Sequence, residues 1–474
     1  MSVGAEAGDA GPGAAASIVA ELRAGLGDAC STDPAILDAA RADKSGHRST
    51  TAPLVVVTAR SIDDVQRTLR IAHRHRVPVV TRGAGTGLAG GSIASEGEIV
   101  LSTVAMDRIL EISVADELAV VEPGIINAHL NAALEPHGLW FAPDPASKAI
   151  STVGGNIATG AGGLLCAKYG VTREAVLGLR VVLADGTLMS LGHRSVKGVT
   201  GLDLTALMIG SEGTLGVIVE ATVKLVPLPT GTTWTIGAWF ADVQAAATAS
   251  AAITAARLRP AVMEIIDQRA AEIIGEYLST AVDAAPGTAL GARRGAYLLV
   301  QTDGPASEVD AAAARTVIES VGGTAELTSD PREGEALLAV RRAFHPAMEA
   351  HGTVLIEDVA VPRSALPRMF AEITRIEGEY GIPIPTVAHA GDGNLHPNFV
   401  FEGDTVPDRV WEAAGALFQA ALALGGTLTG EHGIGILKKR WLGDELGSEQ
   451  LDLQRGIKAV FDPLGILNPG KVLT

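Results

Sequence analysis

The segment His389-Ala390-Gly391-Asp392-Gly393-Asn394-Leu395-His396 sets two histidines either side of an Asp-Gly pair. Asp-Gly suits a two-residue hairpin turn. A turn centred there puts residue 389 directly opposite residue 396. Opposed side chains have Cβ atoms about 4.5–5.5 Å apart, a suitable gap for two imidazoles to share one divalent ion. Asn398, two along from His396, falls on the same face. A second cluster, Thr429-Gly430-Glu431-His432-Gly433-Ile434-Gly435, offers a carboxylate and an imidazole bracketed by glycine. Glu431 would complete a His/His/Glu set with open positions, as a catalytic metal needs. His432 would be left for proton transfer. Any one of these histidines, taken alone, reads as a polar residue in a turn. The two clusters together are harder to dismiss in a chain with 11 histidines. His73, His75, His129, His137 and His193 have no comparable setting.

Two glycine-rich regions suggest a second kind of chemistry. Arg82-Gly83-Ala84-Gly85-Thr86-Gly87-Leu88-Ala89-Gly90-Gly91 follows the apolar strand expected at Val77–Thr81. Glycines let backbone amides surround an anion without Cβ clashes, and a pyrophosphate is the natural guest. Gly85, Gly87 and Gly90 fit a GxGxxG pattern, but a nicotinamide site needs a helix to open at the loop. Here Ser92–Gly97 is turn-like and Ile99–Ser102 reads as another strand, so that reading is rejected. The second region runs from Pro143-Asp144-Pro145 through Ser151 and Gly154-Gly155-Asn156 to Thr159 and Gly162-Gly163. Two such regions suit a large dinucleotide lying along backbone.

These two runs, with Gly210-Ser211-Glu212-Gly213-Thr214-Leu215-Gly216-Val217-Ile218, resemble flavoproteins of the vanillyl-alcohol oxidase type. The two histidine clusters, and Phe461-Asp462-Pro463-Leu464-Gly465-Ile466-Leu467-Asn468-Pro469-Gly470-Lys471, resemble FAD-linked D-2-hydroxy-acid dehydrogenases and oxidases. That family includes D-lactate dehydrogenases, the flavin subunit of glycolate oxidase and D-2-hydroxyglutarate dehydrogenase. The resemblance spans about residues 50–474. It implies FAD held by Arg82, Gly83, Ala84, Gly85, Thr86, Gly87, Gly90, Gly91, Pro143, Asp144, Ser151, Gly154, Gly155, Asn156, Thr159, Gly162, Gly213, Ile218 and Asn468. No histidine lies in 82–91 or 143–163 and Cys166 is just outside, so non-covalent FAD is expected.

The resemblance further implies oxidation of a small D-2-hydroxy acid, such as D-lactate or glycolate, to the 2-oxo acid. Hydride would pass to flavin N5, beside a divalent ion (Zn or Mn) on His389, His396 and Glu431. His432 would be the general base, and Arg341 and Asn398 would contact substrate. Family members carry a Trp three residues before the clamping Arg. Here Leu338 stands there, which leaves Arg341 and Arg342 both open. The strand Val354-Leu355-Ile356-Glu357-Asp358 lacks the Lys expected for a distal carboxylate, which tilts the reading to a monocarboxylate. Alternatives are D-2-hydroxyglutarate oxidation, an electron-transfer flavin subunit of a larger oxidase, an alkyl-glycerone-phosphate synthase and a zinc hydrolase. The electron acceptor stays open among quinone, cytochrome, electron-transfer flavoprotein and oxygen.

The elements that must carry these residues follow from periodicity and turn signals. A βαβ pattern covers Leu54–Thr58, a helix from Ser61 and Val77–Thr81. Asp185-Gly186 joins Val176–Ala184 to Thr187–Leu191 as a hairpin. Pro227 and Pro229 mark a boundary. Beyond it strands and helices alternate, with helices at 333–350 and 363–379 and a strand at Val354–Val361. The expected fold is α+β, a two-subdomain FAD-binding domain plus a C-terminal antiparallel-sheet cap with helices on one face. The divisions are 1–48 (tail, with 1–16 disordered, and helical lead-in), 49–228 (FAD), 229–425 (cap) and 426–474 (return to the FAD domain). With 474 residues, 47% of them hydrophobic, the chain can bury two or three cores. A net charge of −17 argues against nucleic acid as a partner. Two distant cysteines suit a reducing, cytoplasmic setting, at most peripheral to the inner membrane face. No transmembrane segment is expected, and a homodimer is an open assembly.

Overall fold

The computed structural model describes residues 12–280, 295–403 and 405–473. Most of the tail expected to be disordered lies outside them, while Pro12–Leu26 is helical. The chain divides into two compact units. One comprises residues up to Ala161, Val171–Leu228 and His432–Thr474; the other comprises Gly162–Gly170 and Pro229–Glu431.

In the first unit, one sheet is built from β1 (Cys30–Ser31), β2 (Val55–Thr58), β3 (Val79–Arg82) and β4 (Ile99–Ser102), in the order β1-β2-β4-β3. Its short apolar strands lie in parallel around β4. The connecting helix Ile62–His75 is N-capped by Ser61, which accepts from the Asp64 amide. Val79 N–H donates to Ile466 O, and Asn468 N–H to Val79 O, so β3 is bordered by the C-terminal segment. No helix intervenes between β3 and β4, as the rejection of a nicotinamide site requires. A second sheet is antiparallel and ordered β5-β6-β10-β8-β9. Its strands are β5 (Ile109–Ser113), β6 (Leu118–Val121), β8 (Val176–Val182), β9 (Leu188–Gly192) and β10 (Val217–Lys224). β7 (Leu139–Trp140) and β11 (Val226–Pro227) form a separate ribbon. One apolar core is shared, with Val182, Val217 and Val219 of the second sheet among Val55, Val79 and Ile99 of the first, and another backs the second sheet alone.

The second unit has one eight-stranded antiparallel sheet. Its strands are β12 (Trp234–Phe240), β13 (Val262–Ile266), β14 (Ala296–Thr302), β15 (Thr324–Thr328), β16 (Thr353–Ile356), β17 (Val359–Ala360), β18 (Thr386–His389) and β19 (Asn394–Phe401). The order is β15-β12-β14-β13-β18-β19-β16, with β17 also on β19. Two expected elements are divided. The helix expected at 333–350 is two, Pro331–Arg342 and Phe344–His351. Pro346 has no N–H to donate to Arg342 O, so the helical ladder breaks there. The strand expected at Val354–Val361 is split into β16 and β17, because the facing Pro397 cannot donate to the ladder. Among the described residues no helix is long and apolar enough to cross a membrane.

Candidate active site

The hairpin β18–β19 carries the two histidines, but not in the expected register. His389 pairs with Asn394 and His396 with Val387. The Gly393 amide donates back to His389 O, closing a four-residue loop rather than a two-residue turn. Gly393 has φ +94, and a Cβ there would lie 2.1 Å from Val361 O. His389 and His396 are therefore diagonal rather than opposed, on the same face. Diagonal neighbours remain within reach of long side chains, and the ring centroids are 4.9 Å apart at 82°.

Glu431 completes the group within the same unit. His389 Nε2 is 3.5 Å from Glu431 Oε1, and His396 Nε2 is 3.9 Å from Glu431 Oε2. The three ligand atoms lie within 4.8 Å of one another. Ligand atoms around a small divalent ion sit about 3–4 Å apart, so the set fits one. Gly162 packs against it: a Cβ there would meet Glu431 Oε1 at 2.5 Å.

Glu264 and Asp358, which the sequence reading missed, hold this group in place. Glu264, fully buried in β13, is the register partner of His389. Its Oε1 is 2.7 Å from His389 Nδ1, and its Oε2 accepts from Arg341 Nε at 2.7 Å. Arg341 closes the helix Pro331–Arg342, whose start is capped by Asp330. Arg342 instead pairs with exposed Glu335. Asp358, also buried, accepts from Thr429 Oγ1 and from the Gly430 and Glu431 amides. Asn398 is buried, donates to His396 O, and leaves Oδ1 without a hydrogen-bond partner among the described residues. Bound ligands commonly satisfy such orphaned acceptors.

Carboxylates dominate the electrostatics around these residues. Burial pulls the His389 ring toward neutrality, but Glu264 and Glu431 outweigh it and push its pKa up to about 9. Burial, aided by Asp392, Asp358 and Glu264, pushes the Glu431 carboxyl up to about 7 against the pull of His389. Glu264, Glu431, Asp358 and Asp392 thus surround His389, with Arg341 paired to Glu264.

In the first unit the two glycine runs abut. A Cβ on Gly83 would stand 2.5 Å from Thr152 Oγ1, the N-cap of the helix Val153–Thr159. A Cβ on Gly154 would stand 2.4 Å from Pro123 Cβ. This close backbone approach is what a dinucleotide cradle needs. Several expected cofactor residues also order the cradle. Arg82 donates to the Ser92 and Ala42 carbonyls. Asn156 donates to Ser151 Oγ, and Thr159 to Gly155 O. The Pro143 carbonyl accepts from Asn127, and Asp144 lies 3.7 Å from the Lys148 ammonium. Asn468, with φ +47, donates to Gly91 O and Glu212 O and so ties three segments together. Gly213 takes φ +73 beside Asn468, and Ile218 is buried in β10. Ala84, Thr86, Gly85, Gly87, Gly90 and Gly91 line the loop between β3 and β4.

His432, partly buried, directly follows Glu431. Glu212, buried and at φ +51, accepts from the Ile434 and Gly435 amides two and three residues further on. A Cβ on Gly433 would meet the same carboxylate at 2.8 Å. Burial pushes the Glu212 pKa up to about 6 even against those two donors.

Comparison with known proteins shows the family. Residues 53–192 match the FAD binding domain family, and residues 232–472 match the family of FAD linked oxidases, C-terminal domain. The glycolate oxidase subunit GlcD of Bacillus subtilis is 41% identical over 89% of this chain and 89% of its own. The D-lactate dehydrogenase of Archaeoglobus fulgidus is 36% identical over 88% of this chain and 91% of its own. Among solved structures, p-cresol methylhydroxylase superposes with a TM-score of 0.77, at 18% identity, over 97% of this chain and 96% of that one. The fold is thus of vanillyl-alcohol oxidase type. The glycine cradle and these matches together make the chain a member of the FAD-linked oxidase family, an FAD-dependent oxidoreductase.

Proposed function

We propose that this enzyme oxidises a small D-2-hydroxy monocarboxylate, D-lactate, glycolate or a close analogue, to the 2-oxo acid. The reading is carried by His389, His396 and Glu431, whose ligand atoms lie within 4.8 Å of one another in an FAD-linked oxidase. The names of the relatives support the substrate class. When bound, non-covalent FAD supplies the hydride acceptor and a divalent ion, Zn or Mn, makes the substrate hydroxyl easier to deprotonate.

The chain's own residues do the rest. His389, His396 and Glu431 would hold the ion. His432 receives the hydroxyl proton on a ring nitrogen. Arg341 has its Nε committed to Glu264, and its two Nη groups form a fork for the substrate carboxylate. Asn398 Oδ1 accepts from a substrate donor. In β16 no Lys is present to hold a second carboxylate, which favours a monocarboxylate over 2-hydroxyglutarate.

Anaerobic mixing with a panel of D- and L-2-hydroxy acids, while following the visible flavin absorbance, tests the reading. Bleaching by a D-acid is expected, and it should be abolished by a chelator and by His432→Ala. Bleaching that survives both removes the metal and the base from the scheme. Reoxidation of the bleached enzyme by a quinone, a cytochrome, an electron-transfer flavoprotein or oxygen identifies the acceptor.

A further inference from the structure

We propose that Glu264 is a shared positioning residue, one carboxylate that aims the metal ligand His389 and holds the substrate clamp Arg341. The inference rests on the metal reading above.

Glu264 is the middle residue of β13, and all five residues of that strand are buried. A charge in such a place is strongly destabilising unless its lone pairs are occupied. A Leu or Val would be the cheaper choice for stability alone. Both oxygens of Glu264 are occupied, and by site residues. Oε1 meets His389 Nδ1 at 2.7 Å, and Oε2 meets Arg341 Nε at 2.7 Å. The register is fixed by the sheet, since Glu264 and His389 are paired residues of adjacent antiparallel strands. The Ala390 amide, donating to Met263 O, holds the next step of that contact.

Two consequences follow from the geometry. With a metal bound, proton donation from Nδ1 to Glu264 would fix the His389 tautomer and leave Nε2, 3.5 Å from Glu431 Oε1, as the ligand atom. Outer partners of this kind orient a metal-binding imidazole and raise its basicity. Arg341, gripped side-on through Nε, has no other hydrogen-bond partner among the described residues. Its two terminal nitrogens are therefore the ones presented to an anion. Because one rigid carboxylate makes both contacts, the metal ligand and the clamp keep a set spacing.

The test is Glu264→Gln, which preserves size but replaces one acceptor with a donor. Free and bound Mn²⁺ are counted by electron paramagnetic resonance on the FAD-loaded protein, and kcat and KM are measured across Mn²⁺ concentrations. The Mn²⁺ dissociation constant is expected to rise ~10–100-fold. Saturating Mn²⁺ should restore kcat but leave KM raised about tenfold, because mass action repairs the metal ligand and not the clamp. Unchanged Mn²⁺ affinity overturns the proposal. Full recovery of KM at saturating Mn²⁺ also overturns it, since Glu264 would then serve the metal alone. Wild-type protein that binds neither Mn²⁺ nor Zn²⁺ overturns the metal reading and this inference with it. Glu264→Asp, measured by the same criteria, stands in if the Gln variant does not fold.

Discussion

Glu431 and His432 are consecutive, so their Cα atoms are about 3.8 Å apart, yet they carry different proposed tasks. Each is steadied by a separate buried carboxylate: Asp358 receives the amides of Gly430 and Glu431, and Glu212 those of Ile434 and Gly435. His432→Gln should therefore lower kcat by ~10²–10⁴-fold and leave flavin and metal content unchanged, as checked by absorbance and elemental analysis. A fall in metal content would make His432 a ligand instead. The histidine clusters were readable in the sequence because glycine brackets them. Glu264, Asp358 and Glu212 were not, because each acts on a segment far away in the chain. One signal was present: Val262-Met263-Glu264-Ile265-Ile266 is an apolar strand interrupted by a single charge. Buried carboxylates of that sort need partners, and the partners are the site.

The hairpin β18–β19 shows what periodicity leaves open. Asp-Gly indicates a turn, but the loop length sets the register, and here the loop has four residues. The error in pairing did no harm to the site, because diagonal side chains on one face still meet. Gly393 has a positive φ and no room for a Cβ beside Val361 O, so Gly393→Ala should loosen the hairpin. Thermal unfolding should begin several degrees lower, about 1–3 kcal/mol of destabilisation, with weakened metal binding. Retention of both would mean the loop shifts freely.

Asp267 makes a second prediction for the same strand. It accepts from the amides of Ala270 and Thr386, joining the helix Gln268–Thr280 to the start of β18. Burial pushes its pKa up to about 7, with Glu377 adding and the two amides and Arg269 opposing. Folding thus favours its protonated form. Its contribution to stability is full below the ordinary carboxyl pKa near 3.8 and is lost as pH rises through about 7. Denaturant midpoints should fall from pH 5 to 8, and Asp267→Asn should flatten that slope. An equal slope in the variant would assign it to other groups.

The whole molecule separates its two binding tasks. All three proposed metal ligands lie in the unit containing the eight-stranded sheet, and the abutting glycine runs are almost wholly in the other. Adding Mn²⁺ should slow amide hydrogen exchange in residues 386–400 and 427–431. At a hundred times its dissociation constant it should also add about 2.7 kcal/mol of stability. Protection that appears only around residues 83–91 would place the ion elsewhere. The α+β class and the glycine cradle were legible, since local patterns specify both. The passage of residues 162–170 into the second unit was not, because nothing in that short stretch announces its destination.

The border that Ile466 and Asn468 give to β3 has a bearing on biosynthesis. Strand β3 leaves the ribosome long before its flanking segment, since most of the described chain lies between them. Val79 must wait for its partners while all the intervening residues are made, with an apolar sheet margin uncovered meanwhile. Nascent chains in that condition invite chaperone capture, and a chain stopped short of Ile466 would leave that sheet margin unfinished.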